Sequence, residues 1–184
     1  LEYMDLDLSE MIQQTQGELE EKFEARNLAI VTDLPAEPAV VHVDGRRMWR
    51  VLENIYGNAA KYAMPGTRVY ATLKTDDTKV RFSLKNVSEH QLNIQADELT
   101  ERFIRGDSSR TTEGSGLGLS IAKSLTVLMG GVFDIKVDGD LFKASITFPQ
   151  YADGNGSDAG TEDPVSEDDY EIEELEPEER TEEE

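Results

Sequence analysis

Residues 54, 58 and 61 are Asn, Asn and Lys, and Glu53 stands next to them. On a helix turning about 100° per residue, the first three fall within roughly 60° of one another on a polar face. Such a face suits Mg-nucleotide chemistry: an amide oxygen is a hard ligand for Mg²⁺, an ammonium answers phosphate charge, and a carboxylate can take a proton or orient a nucleophile. Asn and Lys on an exposed helix face are usually just solvated, but two asparagines on one face with Gly57 between them cost helix propensity, so the helix alone leaves both readings open. Gly57 leaves room for a ligand. A second group, Gly114-Ser115-Gly116-Leu117-Gly118-Leu119, directly precedes an apolar helical pattern of Ile121, Leu125 and Leu128. Alternating glycines that open a helix can bring bare backbone N–H groups against phosphate. No Lys-Ser/Thr pair follows to make a P-loop, and the third glycine falls one position early for a dinucleotide fingerprint. The stretch before it, residues 105–113, is polar and not a strand. By itself the cluster reads as either a turn or a phosphate cradle; beside the Asn/Lys face it points to a nucleotide.

The elements that must hold these groups follow from periodicity. Ser9 can cap a first helix with Met11, Ile12, Thr15, Leu19 and Phe23 at helical spacing, ended by Asn27. Leu28 to Thr32 and Val40 to Val43 read as two strands joined by the turn around Pro35 and Pro38. Asp44 opens the second helix, whose apolar stripe is Met48, Val51, Leu52, Ile55, Ala59 and Tyr62; Pro65-Gly66 stops it. Thr67 to Leu73 and Val80 to Asn86 alternate like paired strands. A polar stretch over 87–113, with one short helical piece at Ala96 to Phe103, is long enough to be functional. After the glycines the third helix runs to Met129 and ends at Gly130-Gly131; Val132 to Val137 and Leu141 to Phe148 form a closing hairpin. Hairpins alternating with helices predict an α/β sandwich (α+β class), a mixed, mostly antiparallel sheet with helices on one face.

The charge is uneven. The chain has 184 residues and a net charge of −21. Residues 151–184 hold 16 carboxylates and one arginine, which leaves 23 acids and 17 bases for residues 1–150. Two units are expected: a globular domain over 1–150 and an acidic tail over 151–184, too self-repelling and too poor in apolar residues to fold alone. Nucleic acid is disfavoured as a partner, since no basic surplus exists to neutralise phosphates. The absence of cysteine excludes disulfides and thiolate metal sites, and two distant histidines argue against zinc. No apolar run approaches the roughly 20 residues that span a bilayer, so a cytoplasmic segment without direct membrane contact is expected. Beginning at Leu1, not Met, the sequence reads as a part of something longer.

The same residues closely resemble the catalytic, ATP-binding domain of sensor histidine kinases, in the superfamily shared with DNA gyrase, HSP90 and MutL. Glu53 to Tyr62 is similar to that family's N box, Glu101 to Asp107 to its F box, and Gly114 to Leu119 to its second glycine box. The resemblance runs from Tyr3 to Phe148 and implies the Bergerat fold with an ATP lid over the nucleotide. It implies ATP and Mg²⁺, with Asn58 as the metal ligand, Asn54 and Lys61 on the phosphates, and Tyr62 near the ribose or phosphates. Glu53 becomes the general base or the group that orients the attacking imidazole, and Arg105 and Arg110 reach the γ-phosphate. Gly114, Ser115, Gly116, Leu117, Gly118 and Leu119 line the phosphates. The implied partners are a dimerisation domain carrying the acceptor histidine and, downstream, a response regulator.

Two departures stand out. Where the family has Asp-x-Gly-x-Gly, this chain has Asn86-Val87-Ser88-Glu89-His90; Asn86 can accept a hydrogen bond from the adenine amino group, but without charge. His42 lies in an apolar alternation and is expected to be a strand residue and not the phosphoacceptor. Two rivals share the pocket: a serine kinase of the anti-sigma type, and a binding module with a degenerate pocket.

Overall fold

The computed structural model describes residues 1–90, 92 and 117–151. Arg105, Arg110, Gly114, Ser115 and Gly116, the F box, the helical piece at 96–103 and nearly all of the acidic tail lie outside the described residues. In chain order the elements are β1 (Tyr3–Asp7), α1 (Leu8–Glu24), β2 (Ala29–Asp33), β3 (Val40–Asp44), α2 (Gly45–Tyr62), β4 (Arg68–Thr75), β5 (Lys79–Val87), α3 (Gly118–Leu128), β6 (Val132–Asp138) and β7 (Leu141–Pro149).

The main sheet has five strands in the order β2-β4-β5-β7-β6, with β2 and β4 parallel and every other pair antiparallel. Alternation makes it one-sided. Val69, Ala71, Leu73, Val80, Phe82, Leu84, Ala144, Ile146 and Phe148 are buried on the helix side, whereas Tyr70, Lys74, Arg81 and Lys85 point to solvent. The two hairpins, β4–β5 and β6–β7, form as their patterns predict, and Gly139 supplies the positive φ that the second turn needs.

Two local expectations are corrected. β2 and β3 do not pair: β3 pairs antiparallel with β1 in a separate two-stranded sheet, and β2 lies parallel to β4. The strand pattern fixes which residues face inward but not the partner; the crossover through α2 allows β2 and β4 to run parallel. Helix α1 starts one residue before Ser9, because Asp7 is the cap; its Oδ1 accepts from the Ser9 and Ala39 N–H groups at 2.9 and 3.2 Å. A carboxylate at that point also complements the helix dipole.

Helix α2 is the centre of the core. It packs on the sheet between α1 and α3, so its buried surface is wider than one stripe and takes in Tyr56 and Ala60, while Tyr62 is only half buried. Tyr56 is fully buried, accepts a bond from the Gln16 amide at 2.8 Å and is pushed to a higher pKa chiefly by burial. Burial contributes roughly 1.5–3 kcal/mol for each large side chain here. That outweighs the ~1 kcal/mol or less that Gly57 and each asparagine cost in helix propensity, so the polar face can be unfavourable locally and still be held rigid.

Candidate active site

The register of α2 is fixed at its start. The Asp44 carboxylate is 3% exposed. It accepts from the Glu2 N–H at 2.9 Å, from the Arg47 N–H at 3.1 Å and from the Arg47 guanidinium. The Glu2 N–H bond contributes most to lowering its pKa to about 2; partial desolvation opposes this, and the bonds and charge of Arg47 add to it. With the first turn anchored in this way, the side chains two to four turns on are presented at a defined angle.

On the face so presented, Asn54, Gly57, Asn58 and Tyr62 are half buried, and Glu53 and Lys61 are exposed. The Asn54 amide nitrogen donates to the Arg50 carbonyl at 2.6 Å. Its oxygen faces the start of α3: a Cβ on Gly118 would stand 3.2 Å from Asn54 Oδ1. The last glycine of the cluster therefore allows α3 to approach the polar face of α2, joining two motifs that lie 64 positions apart in the sequence. The Lys61 ammonium sits 5.2 Å from the centre of the Tyr62 ring, where a cation is attracted by the aromatic face.

Helix α3 begins after Leu117, which is exposed and makes no side-chain cap. Buried Leu119 anchors the first turn, and the Ser120 hydroxyl donates back to the Leu117 carbonyl at 2.8 Å. The first-turn N–H groups have no intrahelical partner, so this end can receive an anion.

The third part of the site is the end of β5. Asn86 continues the inward series Val80, Phe82 and Leu84, is 3% exposed, and donates from its amide to the Val87 carbonyl at 3.3 Å. It thus faces the helix layer. Backbone bonds tie this strand end to the end of α2: Met64 N–H to Val87 O at 2.8 Å, Glu89 N–H to Tyr62 O at 2.9 Å, and a bridge between Ala63 and Ser88. The structure therefore brings Asn54 of α2 to Gly118 at the start of α3, where Leu117 and Leu119 flank it; Asn58, Lys61 and Tyr62 lie further along α2. Asn86 stands at the far end of α2. His90 is exposed on the same loop.

His42 is the exposed position of β3, 2.7 Å from Asp5 and stacked on the Tyr3 and Tyr151 rings, away from this site. A hollow on the opposite face of the sheet, lined by Tyr70, Lys74, Arg81, Lys85 and Lys143, is likewise remote. Arg26 was not singled out by the sequence. Its guanidinium donates to the Ala60 carbonyl at 2.8 Å, to the Lys61 carbonyl, and to Glu89 at 2.6 Å. Only the folded chain brings those acceptors together.

The sequence profile described as histidine kinase-, DNA gyrase B-, and HSP90-like ATPase matches residues 43–161, which span α2, Asn86 and the glycine cluster. The chain is 28% identical over 151 residues to the adaptive-response sensory kinase SasA of Thermosynechococcus vestitus; the match covers 80% of the chain and 39% of SasA. The chain therefore spans well under half the length of that relative. Among solved structures, the nucleotide-free catalytic domain of the histidine kinase ThkA superposes with a TM-score of 0.70 at 26% identity, covering 82% of this chain and 99% of that one. ThkA in complex with the response regulator TrrA matches with a TM-score of 0.64 at 22% identity, over 81% of this chain and 42% of that one. The mixed sheet under a layer of helices is thus the fold of histidine kinase catalytic domains.

Proposed function

Because this chain belongs to the family of histidine kinase-, DNA gyrase B- and HSP90-like ATPases, we propose that residues 1–150 are the catalytic unit of a two-component sensor histidine kinase. The unit binds Mg-ATP and transfers its γ-phosphoryl to a histidine on a dimerisation domain. The observation that carries this reading is the approach of Gly118 to Asn54, which brings the start of α3 to the helix that bears Asn58 and Lys61.

Each group has a physical role in the transfer. The Asn58 amide oxygen, half buried and one turn before Lys61, would hold a hard cation. The ion, when bound, neutralises phosphate charge as the bridging bond breaks. Lys61 and the first N–H groups of α3 hold the phosphates, and Asn86 accepts from the base. Glu53 is exposed beside them, where an incoming imidazole can reach it. A nitrogen of that imidazole forms the P–N bond as the bond from the γ-phosphorus to the bridging oxygen breaks, ADP leaves, and the proton shed by the ring passes to the Glu53 carboxylate. Arg105 and Arg110 are the groups we assign to the γ-phosphate, and Gly114, Ser115 and Gly116 extend the phosphate contact.

The downstream acceptor in this reading is an aspartate of a response regulator, in line with the regulator-bound form of ThkA. Among the described residues no helix is long and apolar enough to cross a membrane; we place the unit in the cytoplasm, where ATP is supplied. Calorimetry should show Mg-ATP binding by the intact chain, and Glu53→Gln should keep that affinity while slowing transfer to a supplied dimerisation domain by 10²–10⁴-fold, the usual range for proton transfer. No nucleotide binding by the intact chain would refute the kinase reading, and equal transfer rates would remove Glu53 from the mechanism.

A further inference from the structure

We infer that Arg26 and Glu89 act together as positioning residues, setting the distance between the phosphate-holding face of α2 and the base-facing Asn86; the inference rests on the nucleotide reading above. Arg26 lies just past the end of α1, next to Asn27, whose φ of 53° turns the chain out of the helix and into β2. Its guanidinium takes up two of the last carbonyls of α2, those of Ala60 and Lys61, and reaches the Glu89 carboxylate at 2.6 Å with its other nitrogen. Glu89 returns the contact through its backbone N–H, which donates to the Tyr62 carbonyl at 2.9 Å. Three successive carbonyls at the end of α2 are thus satisfied by this pair.

The arrangement does more than cap a helix. Lys61 and Tyr62 sit in the clamped turn, Asn58 one turn before it, and Asn86 three residues before Glu89. A ligand that touches both Asn86 and the Asn58/Lys61 face must span that separation, so it senses the clamp. A ligand held by its phosphates alone does not. A simple exposed ion pair contributes little, and Glu89 is 41% exposed. The planar, multi-donor guanidinium is what bridges three acceptors on two elements, and a lysine cannot do the same.

The test is binding of Mg-ATP and of Mg-tripolyphosphate to the full chain, each measured by displacement of a fluorescent ATP analogue, with the polyphosphate taken to millimolar concentrations. Arg26→Lys should weaken ATP about tenfold, the loss expected for charge-assisted hydrogen bonds. Tripolyphosphate affinity should stay within about twofold, because that ligand touches only one end of the site. Glu89→Gln, which keeps the backbone bond and an acceptor, should weaken ATP about threefold in the same selective way, and it carries the test if Arg26→Lys does not fold. Equal losses for both ligands, unchanged ATP affinity in both variants, or tripolyphosphate failing to compete in the wild-type chain would overturn the clamp. A wild-type chain that binds no ATP would overturn the nucleotide reading itself, whereas wild-type binding with insensitive variants overturns the clamp alone.

Discussion

At the start of α2 the Asp44 carboxylate accepts from both the Glu2 and Arg47 N–H groups, whereas at the start of α3 Leu117 offers no side-chain acceptor. Both ends carry the same partial positive charge and the same unpaired donors. One is filled by the protein's own anion and fixes the helix that bears Asn54, Asn58 and Lys61. The other follows a run of glycines, approaches Asn54 at Gly118, and can receive an anion. On the reading proposed above, that anion is a phosphate of ATP. The contrast separates stability from binding: changes near the open end should cost affinity, and changes at the filled end should cost stability.

The largest effect belongs to the polar face of α2, on the binding side of the contrast. Asn58→Ala removes the proposed metal ligand from a half-buried position on a helix already anchored by its core face. Mg-ATP affinity should fall about 100-fold or more, given that even outer partners of metal ligands cost 10–100-fold. Thermal stability should hold or rise, since alanine is the better helix former. A Tm that drops in parallel with affinity would make Asn58 a structural residue and blur the contrast.

Gly118→Ala sharpens the comparison with one methyl group. The new Cβ would stand 3.2 Å from Asn54 Oδ1, so the amide must give way or α3 must move back. Alanine in place of glycine favours the helix by up to ~1 kcal/mol. Nucleotide affinity should therefore fall, by about tenfold if one hydrogen bond to a charged phosphate is lost, while thermal unfolding shifts little or upward. Unchanged affinity by calorimetry would mean that the close approach of α3 to Asn54 has no part in holding phosphate.

The sequence made these two helix starts legible to different degrees. Asp44 is an acidic residue immediately before an apolar helical stripe, and such a cap is local, so it could be read directly. The glycine cluster was legible as a candidate only, because the contact that gives Gly118 meaning lies on another helix. Alternation likewise identified all four strands of the two hairpins, yet mispaired β2 with β3, whose true partners are β4 and β1. Arg26 shows the limit most clearly. An arginine after a helix is unremarkable until Ala60, Lys61 and Glu89 are brought to it. The width of the buried face of α2 was missed for a related reason: Tyr56 is buried because Gln16 and Phe23 of α1 and Phe82 of β5 close around it.

The filled end should show the smallest effect on binding and a pH signature of its own. The Asp44 carboxyl is held at about 2 by the Glu2 N–H bond first, then by Arg47, against an ordinary value of 3.8. A depressed folded-state pKa means that the unfolded chain takes up the proton first. The stabilisation is therefore fully present above about pH 4 and is lost as the pH falls through 4 toward 2. Asp44→Asn keeps an oxygen that can cap the helix but has no charge to titrate. The variant should be less stable than the wild type at neutral pH, and the difference between their denaturation midpoints should shrink steadily below pH 4. Mg-ATP affinity at neutral pH should be unchanged within error, because the cap lies more than two turns from Asn54 along α2. A stability difference that stays constant down to pH 2 would show that Asp44 acts through its shape and not its charge; a loss of nucleotide affinity would show that the two helix starts are coupled.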